Sequence, residues 1–304
     1  MSCPLPFPEQ IDNSALSSFK KCPTDWYWSN LRQLALKGGS IHLHSGGAFA
    51  AGLEGARKSF YEQGEPAETA LARGLHAMTL FYGDFEAPED HLKAFPRLVQ
   101  ALCSYFEQYP LEQDGFTPLE LPSGSAIEFT FAIPLPINNP DTGEPLLYTG
   151  RFDALGKWNG ATFGLDDKTA SQLGPSWTRN WTLDSQFTGY AWATRTFGIS
   201  TAGFLVRGIS FLKNGFGHAQ AIVYRPQWQI DRWYESMLFT VRTMIAYHQE
   251  GFFPLTLDKH ACNSYGGCPY HMLCESKDPE VWIEENYIPK VWNPLTKGGS
   301  NDQL

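Results

Sequence analysis

Cysteine is scarce in this chain: six in 304 residues, at Cys3, Cys22, Cys103, Cys262, Cys268 and Cys274. So few thiols cannot build the dense disulfide frame of a small secreted scaffold, and a chain this long has core enough without one. Long apolar runs are missing too. None approaches the roughly 20 residues of a membrane-crossing helix, and the opening MSCPLPFPEQ has neither the basic start nor the apolar stretch of a signal peptide. The expectation is a soluble protein of the cytoplasm with no membrane partner. Positive charge is in deficit, with 23 Lys+Arg against 32 Asp+Glu and a formal net charge of -9. That excludes the broad basic field of an indiscriminate nucleic-acid binder, so any nucleic acid must be met in a local groove. Repeats, low-complexity tracts and long linkers are absent as well. With 42% hydrophobic and 14% aromatic residues, what remains is a globular chain of one elaborated domain or two.

Hydrophobic periodicity divides it. Up to about residue 110 the pattern is helical. Asn13-Ser14 is a candidate N-cap ahead of Leu16 and Phe19. A helix over about 48–61 carries Phe49, Leu53, Ala56 and Phe60 at intervals of three and four, Pro66 opens another, and a further one covers about 92–109. From Ile127 the period becomes two, through Phe129, Phe131 and Ile133, with Glu128 on the alternate, solvent-facing set. Two more strands follow, over about 146–155 and 161–168, joined by the hairpin dipeptide Asn159-Gly160. A helix over about 183–196, two strands over about 203–212 and 218–224, and a helix from about 227 to 249 complete the pattern. Three strands, a helix, two strands and a helix make a mixed α/β sheet with helices packed against it.

The chemistry gathers on the second and third strands. Gly150-Arg151-Phe152-Asp153 and Asp166-Asp167-Lys168-Thr169 lie on neighbours of one hairpin, which brings Asp153 alongside Asp166. Alternation puts Asp166 and Lys168 on one face and Asp167 on the other. Two convergent carboxylates suit Mg²⁺ or Mn²⁺, and an adjacent ammonium can stabilise a developing phosphoryl charge. On these residues alone, a solvated strand end is the competing account. One turn of the next helix then aligns Gln186 with Tyr190.

Asp153, the Asp166-x-Lys168 motif and Gln186-x-x-x-Tyr190, in this order and spacing, resemble the RecB-type branch of the PD-(D/E)XK nuclease superfamily. The resemblance implies a restriction-endonuclease-like mixed sheet flanked by helices. It also implies metal held by Asp153 and Asp166, a catalytic Lys168, and Gln186 and Tyr190 contacting the site and the strand. The implied activity is metal-dependent, exonucleolytic hydrolysis of DNA, on single strands or duplex ends, in recombination, repair or processing. Such members occur in bacterial or phage-infected cytoplasm, where other recombination or replication proteins and self-association are further partners.

The match extends outward. Ser14-x-Leu16-x-x-Phe19-x-x-Cys22-Pro23 resembles the start of the iron–sulfur members, among them CRISPR-associated exonucleases and their phage relatives, and Cys262, Cys268-Pro269-Tyr270 and Cys274 resemble their C-terminal cysteine set. The resemblance implies that Cys22, Cys262, Cys268 and Cys274 hold a [4Fe–4S] cluster as a structural staple. Zinc on four thiolates, or on three with His260 or His271, is the alternative. The expected division is a helical region 1–119 carrying the first cluster cysteine, a nuclease core 120–250 and a cysteine-rich segment 251–304.

This chain departs from the family at one ligand. Members place a metal-binding histidine in the helix before the sheet, and alignment on Gly46 to Phe49 puts Ala50 there. His44, expected just ahead of the helix, is the candidate substitute. If neither serves, the metal rests on carboxylates and water. The missing histidine also supports a second reading, a catalytically inactive nuclease fold that binds nucleic acid or assembles with partners. Trp177, Trp181 and Arg179 are candidates for base stacking and phosphate contact. Gly46-Gly47-x₄-Gly52-x₂-Gly55 lacks the Lys-Ser/Thr of a nucleotide-binding loop.

Overall fold

The computed structural model describes residues 3–88, 90–121, 124–263, 267–291, 293 and 295. Several elements begin or end on local chemistry. Asn159 and Gly160 have φ of 49° and 80°, the backbone of a two-residue I′ turn, and join strand Pro145–Trp158 to strand Ala161–Ala170. Helix Ser185–Thr196 starts where Asp184 accepts the Gln186 N–H at 2.8 Å. Helix Asn13–Lys21 is capped by Asp12, which accepts the Ala15 N–H at 2.7 Å, rather than by the expected Asn13-Ser14 pair.

The first long helix, Ile41–Tyr61, begins at Ile41 and not at Ala48, so both His42 and His44 lie within it. Tertiary packing explains this. A Cβ on Gly74 would stand 2.5 Å from the Gly52 carbonyl oxygen, and one on Gly55 2.9 Å from the Ala77 Cβ. Helices Ile41–Tyr61 and Ala67–Tyr82 therefore meet backbone to backbone. The glycine-rich stretch is a helix contact.

By compactness the chain forms two units, residues 40–129 with 152–227, and residues 1–39 with 130–151 and 228–304. Cys22 falls in one unit with Cys262, Cys268 and Cys274. In the first unit, strand Ala161–Ala170 pairs antiparallel with residues 154–158 and parallel with strand Gly203–Leu212, which pairs antiparallel with strand Gly215–Val223. The sheet is mixed and helices flank it. Phe49 and Leu53, Met78 and Tyr82, and Leu98, Leu102 and Tyr105 bury themselves with Ile209 and Phe211 of the sheet. Each such side chain contributes about 1.5–3 kcal/mol of transfer free energy.

In the second unit, residues 147–148 pair parallel with strand Gln10–Ile11, and strand Leu34–Leu36 pairs antiparallel with Tyr287–Pro289. Trp26 is fully buried, with Phe7, Phe19 and Phe253 rings 5.9, 5.7 and 5.8 Å away. Among the described residues no helix is long and apolar enough to cross a membrane.

Candidate active site

The hairpin register sets the site. Ala154 pairs with Leu165, so Asp153 and Asp166, one step further along, stand opposite each other with their side chains on one face. Asp153 Oδ2 accepts the Asp167 N–H at 2.7 Å. The Lys168 ammonium lies 2.6 Å from Asp166 Oδ1 and donates to Gln186 Oε1 at 3.2 Å. The Gln186 amide nitrogen in turn donates to Asp166 Oδ2 at 3.1 Å and to the Tyr190 hydroxyl at 2.9 Å. Asp153, Asp166, Lys168, Gln186 and Tyr190 are thus brought together.

Burial drives the electrostatics. Asp166 is 1% exposed. Burial raises the Asp153 carboxyl well above the ordinary carboxylate range, and the charges of Asp166, Glu128 and Asp167 add to it. Asp166 is also raised by burial, with Lys168 opposing. Burial presses the Lys168 ammonium down, but the charges of Asp166 and Asp153 outweigh it and hold the group above its ordinary value. The lysine therefore stays charged. The pair of repelling carboxylates is a hard-oxygen site that gains from a cation. Asp166 Oδ1 is buried against the Lys168 ammonium, and a carboxylate oxygen has lone pairs enough to meet a cation as well. Asp153 and Asp166 fit a divalent metal by donor chemistry. Among the described residues, no three of His, Cys, Asp and Glu converge at metal-holding geometry, so the remaining shell falls to water and phosphate oxygens.

Other candidates are placed differently. The His44 ring stacks on Phe85 at 4.0 Å and 14°, and its Nε2 is 3.0 Å from the Tyr82 carbonyl oxygen. Because the helix starts at Ile41, His44 sits in its first turn, committed to the 82–85 segment and not grouped with the carboxylates. Ala50 is exposed on the same helix. Trp177 is buried, and its ring fills the space where a Cβ on Gly208 would come within 2.5 Å of it, so it packs on the sheet and offers no base-stacking platform. Trp181 is half-buried beside it, and Arg179 is exposed. Tyr190 is buried with its ring on Phe152 at 4.3 Å, and what it brings to the site is its hydroxyl. Glu128, expected to face solvent, is half-buried at a φ of 53°, and its charge is felt at Asp153.

Sequence reasoning missed the supports. Arg57 donates to Asp167 Oδ2 at 2.6 Å, their side chains 6% and 4% exposed. Arg225 is buried and holds the entry to the glutamine helix through Thr188 Oγ1 at 2.7 Å and the Trp181 and Asp184 carbonyls at 2.7 and 3.0 Å. One signal for Arg57 was present: it stands four residues after Leu53, on the buried stripe of its helix.

In the second unit the four expected cluster cysteines share one neighbourhood. The Cys274 thiol is pushed up to about 11 by burial first, then by the charges of Cys268, Cys22 and Cys262. Cys268 is raised by burial. For Cys22, burial pushes upward, but hydrogen bonds from Thr256, Asp25 and Thr24 bring the net value below the ordinary thiol. All four are free thiols, as are Cys3 and Cys103. Cys268 packs beside Trp28, Tyr270 and Tyr287, and thiolates are the donors a thiophilic metal or cluster takes, but among the described residues no three of these groups converge at metal-holding geometry.

A mixed sheet presenting two opposed carboxylates and a lysine on adjacent strands, with a Gln/Tyr helix over them, defines a hydrolase core of nuclease type. The chain belongs to the PD-(D/E)XK nuclease superfamily, whose profile matches residues 13–275. Among solved structures it is similar to one from Eubacterium rectale described as a candidate exonuclease, with 11% identity, a TM-score of 0.49, and 84% of this chain and 86% of that one covered. It is also similar to the structure of SSO0001, with 11% identity, a TM-score of 0.31 and 77% of each chain covered. No curated protein matches it in sequence.

Proposed function

We propose that this protein is a Mg²⁺- or Mn²⁺-dependent deoxyribonuclease acting as an exonuclease on DNA ends, in recombination, repair or processing. One observation carries the reading: Asp153, Asp166, Lys168 and Gln186 form a single polar cluster, buried at Asp166, in the superfamily's core. Asp153 and Asp166 would hold the metal, which when bound supplies positive charge at the scissile phosphate and lowers the pKa of a water. Lys168, kept protonated by the carboxylates, presents its ammonium to the developing phosphoryl charge. Gln186 fixes the lysine and Asp166 relative to each other, and Tyr190 fixes Gln186. Trp181 and Arg179 remain candidates for strand contact, Arg179 by virtue of its exposure.

In the same reading Cys22, Cys262, Cys268 and Cys274 hold a [4Fe–4S] cluster as a staple, with zinc as the alternative occupant. The test incubates anaerobically purified protein with end-labelled single- and double-stranded DNA in Mg²⁺, Mn²⁺ or chelator. Release of mononucleotides or short oligonucleotides from ends, abolished by chelator and by Lys168→Met, is the expected result. Tight DNA binding without cleavage would instead favour the inactive, binding-protein reading, which the exposed Ala50 at the missing histidine position supports.

A further inference from the structure

We propose that Arg57 and Tyr105 are positioning residues of the carboxylate centre, holding Asp153 in place through Asp167; the effect on cleavage rests on the nuclease reading, the effect on cation binding does not. Asp167 lies between Asp166 and Lys168 but projects from the opposite face of the strand. There its carboxylate is gripped from two helices: Arg57 of helix Ile41–Tyr61 donates to Oδ2 at 2.6 Å, and the Tyr105 hydroxyl, from helix Phe95–Gln108, donates to Oδ1 at 2.5 Å. Arg57 also donates to the Tyr105 oxygen at 2.9 Å, which closes the three groups into a ring. The backbone of the same residue faces the site, where the Asp167 N–H donates to Asp153 Oδ2 at 2.7 Å.

Packing alone does not account for this ring. The Arg57 and Asp167 side chains are 6% and 4% exposed, and apolar residues of similar volume fill such a space at equal or lower free-energy cost than a buried ion pair. What a ring of directed bonds adds is orientation. With its carboxylate fixed at both oxygens, residue 167 cannot rotate its peptide, so the N–H keeps one direction. Asp153 then has one oxygen tied, which fixes its carboxylate on the face it shares with Asp166. Partners of this kind, one step behind a metal ligand, set its direction and typically change cation affinity by about 10–100-fold when removed.

The test measures Mn²⁺ binding without DNA, from the electron paramagnetic resonance signal of free Mn²⁺, alongside Tm and single-turnover cleavage. Arg57→Met alone leaves a buried carboxylate unpaired and risks unfolding. The informative variants are therefore Tyr105→Phe, Arg57→Lys and the charge-free pair Arg57→Met with Asp167→Leu. The pair is expected to keep its Tm near that of the native protein while its Mn²⁺ dissociation constant rises about tenfold or more. Tyr105→Phe and Arg57→Lys should shift it by smaller factors, with cleavage rate falling and DNA KM unchanged.

A charge-free pair that folds and binds Mn²⁺ as the native protein does would overturn the proposal. If that pair fails to fold, an unchanged Mn²⁺ affinity in Tyr105→Phe overturns it, as does native protein that takes up no Mn²⁺. Weakened Mn²⁺ binding in variants of a protein that cuts no DNA would leave the positioning role standing and sink the nuclease reading. Equal binding and equal cleavage in all variants would do the reverse.

Discussion

Like charges meet in two regions of this molecule. At the carboxylate centre Asp153 and Asp166 are held together by the protein itself, through the Lys168 ammonium 2.6 Å from Asp166, the Gln186 amide and the Asp167 N–H. In the cysteine neighbourhood burial first, and then the charges of Cys268, Cys22 and Cys262, push the Cys274 thiol up to about 11, whereas hydrogen bonds hold Cys22 below the ordinary thiol. The first region is assembled before any cation arrives, because fixed donors offset the desolvated charge. In the second, a raised thiol such as Cys274 gives up its proton when a metal competes for the sulfur, so metal binding, proton release and local folding are linked.

Removing the internal cation tests the first half of this contrast most severely. Lys168→Met or Asp166→Asn should reduce the cleavage rate at least about a thousandfold, near 4 kcal/mol of transition-state stabilisation, with far-UV circular dichroism unchanged. Cleavage within tenfold of native would place the chemistry elsewhere. Asp167→Ala comes next. The strand pattern alone predicts a mild effect, since residue 167 faces away from Asp166 and Lys168, but the structure reverses that expectation: Arg57 would be left buried and unpaired, at a cost of about 3–5 kcal/mol in denaturant unfolding. A loss below about 1 kcal/mol would show that water or a rearranged Tyr105 takes over the arginine.

The cysteine half is sharpened by colour. Protein prepared without oxygen should be brown, and Ser at Cys22, Cys262, Cys268 or Cys274 should bleach it and lower Tm by several degrees, whereas Ser at Cys3 or Cys103 should do neither. Colourless protein with stoichiometric zinc would replace the cluster and leave the carboxylate centre unaffected.

A smaller effect comes from pH. Burial and Asp166 raise Asp153 in the folded state, so between the unfolded value of about 4 and the raised folded value the native protein keeps a proton that the unfolded chain has lost. This contribution is full at low pH and declines as pH rises through the folded value. In chelator, Tm should fall as pH rises above the ordinary carboxylate range, and Asp153→Asn should flatten the decline. An equally steep decline in that variant would assign it to other groups. The smallest change is expected from His44→Ala. It removes a ring stacked on Phe85 and should lower stability slightly, with no change in the Mn²⁺ concentration needed for cleavage. A raised requirement would return His44 to the metal.

What depends on neighbours a few residues apart was legible in the order of amino acids. Period-two and period-3.6 patterns placed the main strands and helices, Asn159-Gly160 placed the hairpin, and the hairpin register then put Asp153 opposite Asp166 and turned Lys168 the same way. Gln186 and Tyr190 followed from one helical turn. What depends on partners far along the chain came with folding. The start of helix Ile41–Tyr61 was hidden because Gly46 and Gly47, ahead of Ala48, look like a loop until Gly47 meets Phe81 of helix Ala67–Tyr82. The grip on Asp167 joins Arg57, Tyr105 and Asp153 across a strand, and no local period connects them. Alternation says which face a side chain takes. Which group waits on that face, and at what free-energy cost it is buried there, is settled by contacts that exist only once the helices have docked on the sheet.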